Sequence, residues 1–316
     1  MTNKEVKIGN IKLANPLILA PMVDITNLPF RLVCRKAGAS LAYTEMINVP
    51  AILHENQKTK QMMKTCKEDF PIGIQLTGNN LKDFEKVIPH LKPYSLIDLN
   101  CGCPSERITE NESGSCLLQQ PEKISKIIKI LKKKTNLPVT AKIRLGFTKN
   151  NAIQVAKLIE KAGADAITLH PRLAIQDYQV PADWNEIKKL KKSIGIPVIG
   201  NGDILNEIKA KEMLNTTDCD AVMIARGAIG DPLIFKRTLN YLKTRKLDEF
   251  SFRDNIKAFQ EYLKLSKKYK LQDSNITNIR HLGTKFIKNI EGAGKMRNEL
   301  MQLKSFREIT DFFKKI

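Results

Sequence analysis

The stretch Leu96-Ile97-Asp98-Leu99-Asn100-Cys101-Gly102-Cys103-Pro104-Ser105 is where the reading of the fold begins. Leu96 to Leu99 is short and mostly apolar, the form of a buried strand. An amide and two thiols then arrive together, Gly102 lets the backbone turn, and Pro104 fixes the turn after the second thiol. A strand ending in reactive groups is how an α/β protein presents chemistry at the carboxyl edge of its sheet. Taken alone, the stretch also reads as a tight turn holding two inert cysteines.

Its form recurs along the chain. Short, often β-branched runs lie at Leu17–Ala20, Leu41–Tyr43, Ile72–Leu76, Leu96–Leu99, Val139–Ile143, Ala166–Leu169, Val198–Ile199 and Ala221–Ala225, with starts 23 to 43 residues apart. That spacing leaves room for a strand, a loop, a helix and a return loop each. Helical periodicity fills the gaps at Leu81–Leu91, at Ile124–Leu131 behind Pro121-Glu122, and at Ala152–Ala162 before Gly163. Eight such units predict a (β/α)8 barrel, a TIM-type α/β fold. An open doubly wound sheet is the alternative. It would carry a glycine-rich turn after its first strand, where this chain has Ala20-Pro21-Met22-Val23-Asp24. From about Pro232 the strand signal stops. Helical patterns over Leu233–Lys243, Phe252–Tyr269, Asn275–Glu291 and, in pieces, Lys295–Ile316 predict a barrel over residues 1–244 and a small all-helical domain over 245–316.

Composition narrows the class. No run of about 18 apolar residues exists, so no membrane span is expected. The amino-terminal residues lack the apolar stretch of a signal peptide. Six cysteines in 316 residues do not make a disulfide framework and fit reduced thiols in a cytoplasmic protein. Cys101, Cys103 and Cys116 lack a visible fourth ligand, so no metal is expected. Net charge is +20, and residues 236–316 hold 20 Lys/Arg against 9 Asp/Glu. Charge gathered in one segment favours a polyanion, nucleic acid before membrane. Within it, Arg280, His281, Thr284, Lys285 and Lys288 include pairs three or four apart and predict one phosphate-contacting helix face.

At the predicted strand ends stand Pro21 and Met22, Glu45, Gln75, Asn100 and Cys103, Lys142 and Arg144, His170 and Arg172, Asn201-Gly202-Asp203, and Ala225-Arg226, so that nearly every strand brings a polar group. Lys142 falls on the inward register of its strand. A buried ammonium needs a counter-charge, either an anionic ligand or a carboxylate such as Glu45. Glycines after the last two strands, with Arg226, suit a phosphate at the corner where barrels bind one. A phosphorylated planar cofactor unites these groups, and flavin mononucleotide (FMN) fits. A cation at its N1/O2 edge stabilises the anionic reduced ring, and a thiol across the ring face would give or take a proton.

With those residues placed, the chain resembles the tRNA-dihydrouridine synthases, flavin enzymes that reduce uridine in tRNA. The likeness runs from about Leu17 to the C-terminus. It is carried by LAPMVDITNLPFR at 19–31, TEM at 44–46, IQLTG at 74–78, DLNCGCP at 98–104, KIRLG at 142–146, HPR at 170–172, NGDI at 201–204 and MIARGAIGDP at 223–232. The resemblance implies that Cys103 protonates uracil C5 and that Asn100 orients the base. It implies that Pro21, Met22, Val23, Gln75, Lys142, His170, Asn201, Gly202, Asp203, Ala225 and Arg226 hold FMN. Arg172 and Tyr178 lie in a loop resembling the substrate-facing loop, with Trp184 packing it. NADPH as the electron donor and tRNA as the partner are likewise family expectations, and a monomer is expected. Ala225 stands where glycine is common, and Pro171 where Gly or Ala is. The glutamates at 110 and 112, in the segment where the family is usually rich in glycine, are odd beside RNA and are expected to point away. The long segment after Cys103 is expected to form a lid. A dehydrogenase of a small pyrimidine, of the dihydroorotate type, is the main rival, and a non-catalytic RNA-binding barrel the second. Neither accounts for both the basic helical segment and the thiol beside the flavin corner.

Overall fold

A computed structural model describes residues 5–271 and 276–316. Ten strands lie among them: β1 (Lys7–Ile8), β2 (Ile11–Lys12), β3 (Leu17–Leu19), β4 (Ala42–Asn48), β5 (Ile72–Thr77), β6 (Leu96–Cys101), β7 (Val139–Gly146), β8 (Ala166–Leu173), β9 (Val198–Asn201) and β10 (Ala221–Ile224). β3 to β10 form one parallel sheet ordered β3-β10-β9-β8-β7-β6-β5-β4. A parallel bridge between Ile18 and Leu41, with Leu19 N–H donating to the Leu41 carbonyl at 2.9 Å, joins its two ends. The result is a (β/α)8 barrel.

Alternation along the strands sorts the side chains. In β6, Ile97, Leu99 and Cys101 join the large apolar layer between strands and helices. Leu96 instead joins a second apolar cluster with Ile18, Leu41, Tyr43, Ala166, Ile199 and Ala221. The antiparallel pair β1–β2 brings Val6, Ile8 and Leu13 into that same cluster. This plug was not expected from the sequence, because two-residue strands are too short to show a period. Its one local signal is Ile8-Gly9-Asn10-Ile11, a two-residue hairpin turn, with Gly9 at φ +57°.

Several helices end earlier than periodicity predicts. The pattern at Leu81–Leu91 forms an α-helix only over Leu81–Lys86 and continues as a 3-10 turn over Ile88–Leu91. Pro89 cannot donate to the helix ladder and crowds the preceding turn. The helix expected over Asn275–Glu291 spans Ile276–Phe286, with Asn275 outside the described residues. Asn289 is left-handed at φ +59°, and the Ile287 carbonyl accepts from Arg297 Nη1 at 2.9 Å. Lys288 therefore lies beyond the helix, not on its face.

The last barrel-side helix, Ile234–Thr244, ends where Arg245 turns left-handed at φ +65°. Helices Phe252–Lys268, Ile276–Phe286, Ala293–Gln302 and Phe306–Lys315 follow. Phe259 is central to them, stacking on Tyr262 at 5.3 Å and meeting Phe286 at 4.8 Å and Phe313 at 4.3 Å. This helical region is seated on the barrel by polar contacts. Asn255 Nδ2 donates to the Gly230 carbonyl at 2.7 Å, Asn27 Nδ2 to Tyr262 Oη at 3.1 Å, and Asn278 Nδ2 to Asp24 Oδ1 at 2.8 Å. No helix among the described residues is long and apolar enough to cross a membrane.

Candidate active site

The carboxyl ends of the strands surround a cavity of about 390 Å³. Pro21, Met22, Val23, Gln75, Lys142, His170, Asn201, Gly202, Asp203, Ala225 and Arg226 line it, and so do Asn100, Cys103 and Tyr178. Residues from seven strand ends and a loop thus meet in one place.

Cys103 follows β6 in a turn held from both sides. Asn100 Oδ1 accepts from the N–H groups of Gly102 at 3.1 Å and Cys103 at 3.0 Å. The Cys103 carbonyl accepts from Ser115 N–H at 2.9 Å. Gly114, at φ +62°, lets this second strap approach, because a Cβ there would sit 2.6 Å from the Cys103 carbonyl oxygen. Cys101 points the other way, fully buried, and burial pushes its thiol well above the ordinary range. The long segment after Cys103 is in part a buttress: Ser113, Gly114, Ser115, Leu117 and Leu118 are buried, while Glu106, Glu110 and Glu112 are exposed.

Below the thiol runs a chain of hydrogen bonds. The buried Asp98 carboxylate accepts from Gln75 Nε2 at 2.7 Å and Thr140 Oγ1 at 2.6 Å. Gln75 Oε1 in turn accepts from Asn100 Nδ2 at 2.8 Å. Burial pushes Asp98 up to about 6, against the hydrogen bonds and the Lys142 charge. Asp98 was missed as a site residue, although its place between Leu96 and Asn100 puts it on the inward register.

Lys142 has no acceptor within hydrogen-bonding distance among the described residues. Glu45, the carboxylate that the sequence offers as its partner, instead accepts from Asp24 N–H at 2.7 Å. Burial, and then the charge of Arg144, push the Lys142 ammonium down to about 8, with Asp98 and Cys103 opposing. An unpaired ammonium in the cavity wall is the feature that an anionic ring edge would satisfy, and the donor set fits FMN. His170 is held well below the usual imidazole range by burial, then by Lys142, Arg144, Arg172 and Arg226. It is therefore neutral near pH 7. Arg172 Nη1 lies 2.8 Å from His170 Nε2. A guanidinium only donates, so Nε2 accepts and the ring proton sits on Nδ1.

Arg172 does not face the cavity. It is 1% exposed, its Nη2 is 2.7 Å from both Asp203 oxygens, and its Nε donates to the Val180 carbonyl at 2.5 Å. The resemblance put it in the substrate-facing loop, but it lies in β8, where the Asp203 carboxylate and the neutral imidazole draw it inward. Arg226 Nη2 shares Asp203 at 2.8 Å, and its guanidinium stacks 3.9 Å from the centre of the Tyr178 ring. Burial pushes Asp203 up, but hydrogen bonds from Arg172 and Ala182 N–H and the two arginine charges outweigh it and hold it low. Trp184 Nε1 donates to the Gly202 carbonyl at 3.1 Å, pinning this corner. Arg144, seen from the sequence to point inward but given no role, donates to the Leu173 carbonyl at 2.8 Å and braces the loop after β8.

The three basic residues expected on one helix face have separate fates. Arg280 Nη1 donates to the carbonyls of Met301 and Leu303, both at 2.9 Å, closing the end of the helix Ala293–Gln302. Lys288 lies 3.9 Å from Asp231. Lys285 is exposed and retains its reach to solvent.

A closed parallel barrel with a cation, a neutral imidazole and a thiol at its carboxyl mouth defines an enzyme of the (β/α)8 class. Solved structures with this fold include histamine dehydrogenase from Rhizobium sp. 4-9, with TM-score 0.57 and 15% identity over 83% of this chain and 50% of that one. Morphinone reductase aligns with TM-score 0.55 and 14% identity over 78% of this chain and 90% of that one. The profile of the dihydrouridine synthase (Dus) family matches residues 18–315, and the chain belongs to that family. A probable tRNA-dihydrouridine synthase of Rickettsia bellii is 38% identical over 76% of this chain and 75% of its own length. The tRNA-dihydrouridine synthase B of Pasteurella multocida is 35% identical over 73% and 70%, and that of Vibrio parahaemolyticus 38% over 75% of each.

Proposed function

We propose that this chain is a flavin-dependent tRNA-dihydrouridine synthase, reducing the C5–C6 double bond of uridines in tRNA. The observation that carries the reading is a single cavity holding both the unpaired Lys142 ammonium and the Cys103 side chain. Bound there, FMN would supply hydride chemistry toward uracil C6, with NADPH as its reductant. Lys142 balances negative charge at the pyrimidine edge of the ring, with Gln75 and the neutral His170 beside it. Pro21, Met22, Val23 and Ala225 give the ring an apolar bed. Asn201, Gly202, Asp203 and Arg226 form the phosphate corner, where a phosphate competes with the Asp203 carboxylate for Arg226.

Cys103 gives its proton to C5, and Asn100 and Tyr178 orient the base. Hydride and proton reach adjacent carbons of one flat ring, so the thiol has to be held in one place, as the two straps on its turn do. The barrel, residues 1–244, does the chemistry. Residues 245–316 hold the tRNA through long-range charge, with Lys285 among the contacts. The protein works as a cytoplasmic monomer. Family membership favours this reading over a dehydrogenase of a small pyrimidine.

The test is optical. Purified protein should take up FMN, lose the flavin colour with NADPH, and recover it on addition of unmodified tRNA under anaerobic conditions. Recovery with a free pyrimidine but not with tRNA would overturn the proposal, as would failure to take up FMN.

A further inference from the structure

We infer that Asp98 is a positioning residue, setting through Gln75 and Asn100 the direction of the hydrogen bonds that hold the Cys103 turn. The inference rests on the reading of Cys103 as the proton donor. An ionised carboxylate only accepts, and a backbone N–H only donates. Between these ends stand two side-chain amides, each with one donor group and one acceptor. Asp98 Oδ2 takes Gln75 Nε2 at 2.7 Å, which turns Gln75 Oε1 toward Asn100. That oxygen takes Asn100 Nδ2 at 2.8 Å, which turns Asn100 Oδ1 toward the turn. That oxygen takes the N–H groups of Gly102 at 3.1 Å and Cys103 at 3.0 Å.

With both ends fixed, the amides have only one orientation that satisfies every group. Asp98, Gln75 and Asn100 are all buried, so water does not offer easy substitutes. Remove the acceptor at Asp98, and the Gln75 amide loses its preference. Asn100 then presents NH2 as readily as oxygen to two N–H groups, and the turn loosens. A carboxylate kept inside a barrel at the expense of its hydration is otherwise unexplained, since Asp98 pairs with no cation at hydrogen-bonding distance among the described residues.

The experiment uses FMN-loaded enzyme carrying Asp98→Leu, Asp98→Asn, Cys103→Ala or the Asn/Ala pair. Asn supplies an acceptor in one of its two orientations, so it should fall between Asp and Leu. Backbone amide exchange in the peptide spanning 100–105 should speed up in that order, at least tenfold for Leu, with flavin content retained. Reoxidation of the reduced flavin by saturating unmodified tRNA should slow in the same order, while the tRNA concentration giving half the maximal rate stays put. Adding Asp98→Asn to Cys103→Ala should cost less rate than Asp98→Asn costs the parent.

Exchange within twofold of the parent in a flavin-loaded Asp98→Leu protein would overturn the inference. So would rate losses that multiply in the pair. If the Leu variant fails to fold, the Asn variant decides, with parental exchange at Gly102 and Cys103 counting against the inference. If parental enzyme is not reoxidised by tRNA, the functional reading fails, and amide exchange still decides the role of Asp98.

Discussion

Burying the Lys142 ammonium without a carboxylate is unfavourable. Its fall from 10.5 to about 8 corresponds to a penalty of roughly 3–4 kcal/mol in the bare protein, less what solvent at the cavity mouth screens. Between about pH 8 and 10.5 the unfolded chain holds a proton that the native state lacks, so native stability rises with pH across that window and the penalty is full below it. Replacing Lys142 with Met should therefore raise the Tm of flavin-free protein at pH 7, and the gain should close above about pH 10. Flavin affinity should fall at the same time, read by equilibrium dialysis. A Met variant no more stable than its parent would mean that the ammonium is paired. Much of the site was legible at this scale, because Asn100, Cys103, Lys142 and His170 each stand at the end of a recognisable strand. Arg172 and Asp98 were not. Their roles depend on partners 31 and 23 residues away, on or just beyond the neighbouring strand, and the sequence does not show how those strands are set against each other.

Among the elements, the barrel strands were legible because each is a short apolar run between turn signals. The β1–β2 plug was not, since its contribution lies in three side chains that only the closed barrel gives a place. The segment after Cys103 shows the same limit. Its length suggested a lid, whereas Gly114 and Ser115 strap it beneath the thiol. Gly114→Ala should be costly on two counts, a left-handed φ of +62° and a Cβ 2.6 Å from the Cys103 carbonyl oxygen. A left-handed non-glycine residue costs about 1–3 kcal/mol. Thermal melting should show that loss, and reoxidation of reduced flavin by tRNA should slow. An unchanged Tm would mean that the strap gives way without effect.

For the whole molecule, the barrel carries the cavity, and residues 245–316, with 17 Lys/Arg against 9 Asp/Glu, carry +8 of the net +20 in under a quarter of the chain. The two meet at Gly230, at φ +71°, where a Cβ would lie 2.1 Å from the Lys285 carbonyl oxygen. Gly230→Ala should push the helix bearing Lys285 off its seat. Tm should fall and tRNA affinity weaken, while the flavin spectrum holds; unchanged tRNA affinity would separate the seat from binding. Reversing Lys285 to Glu should weaken tRNA binding and flatten its dependence on salt, since a protein that neutralises one phosphate fewer releases about one counterion fewer. The basic segment was plain in the sequence. Which of its charges are free was not, because Arg280 is committed to carbonyls that only folding brings to it.

Reduction of uridine in tRNA within this cavity, with Cys103 as the proton source, can be read from the product itself. Unmodified tRNA is incubated with FMN-loaded protein and NADPH, and its uridines are mapped by mass spectrometry. Specific uridines should gain two hydrogens with the parent, and Cys103→Ala should cut the rate by about 10²-fold or more, the usual contribution of a general acid. Unchanged uridine after incubation with the parent would refute the assigned reaction, and equal conversion by the Cys103→Ala protein would refute the assigned proton donor.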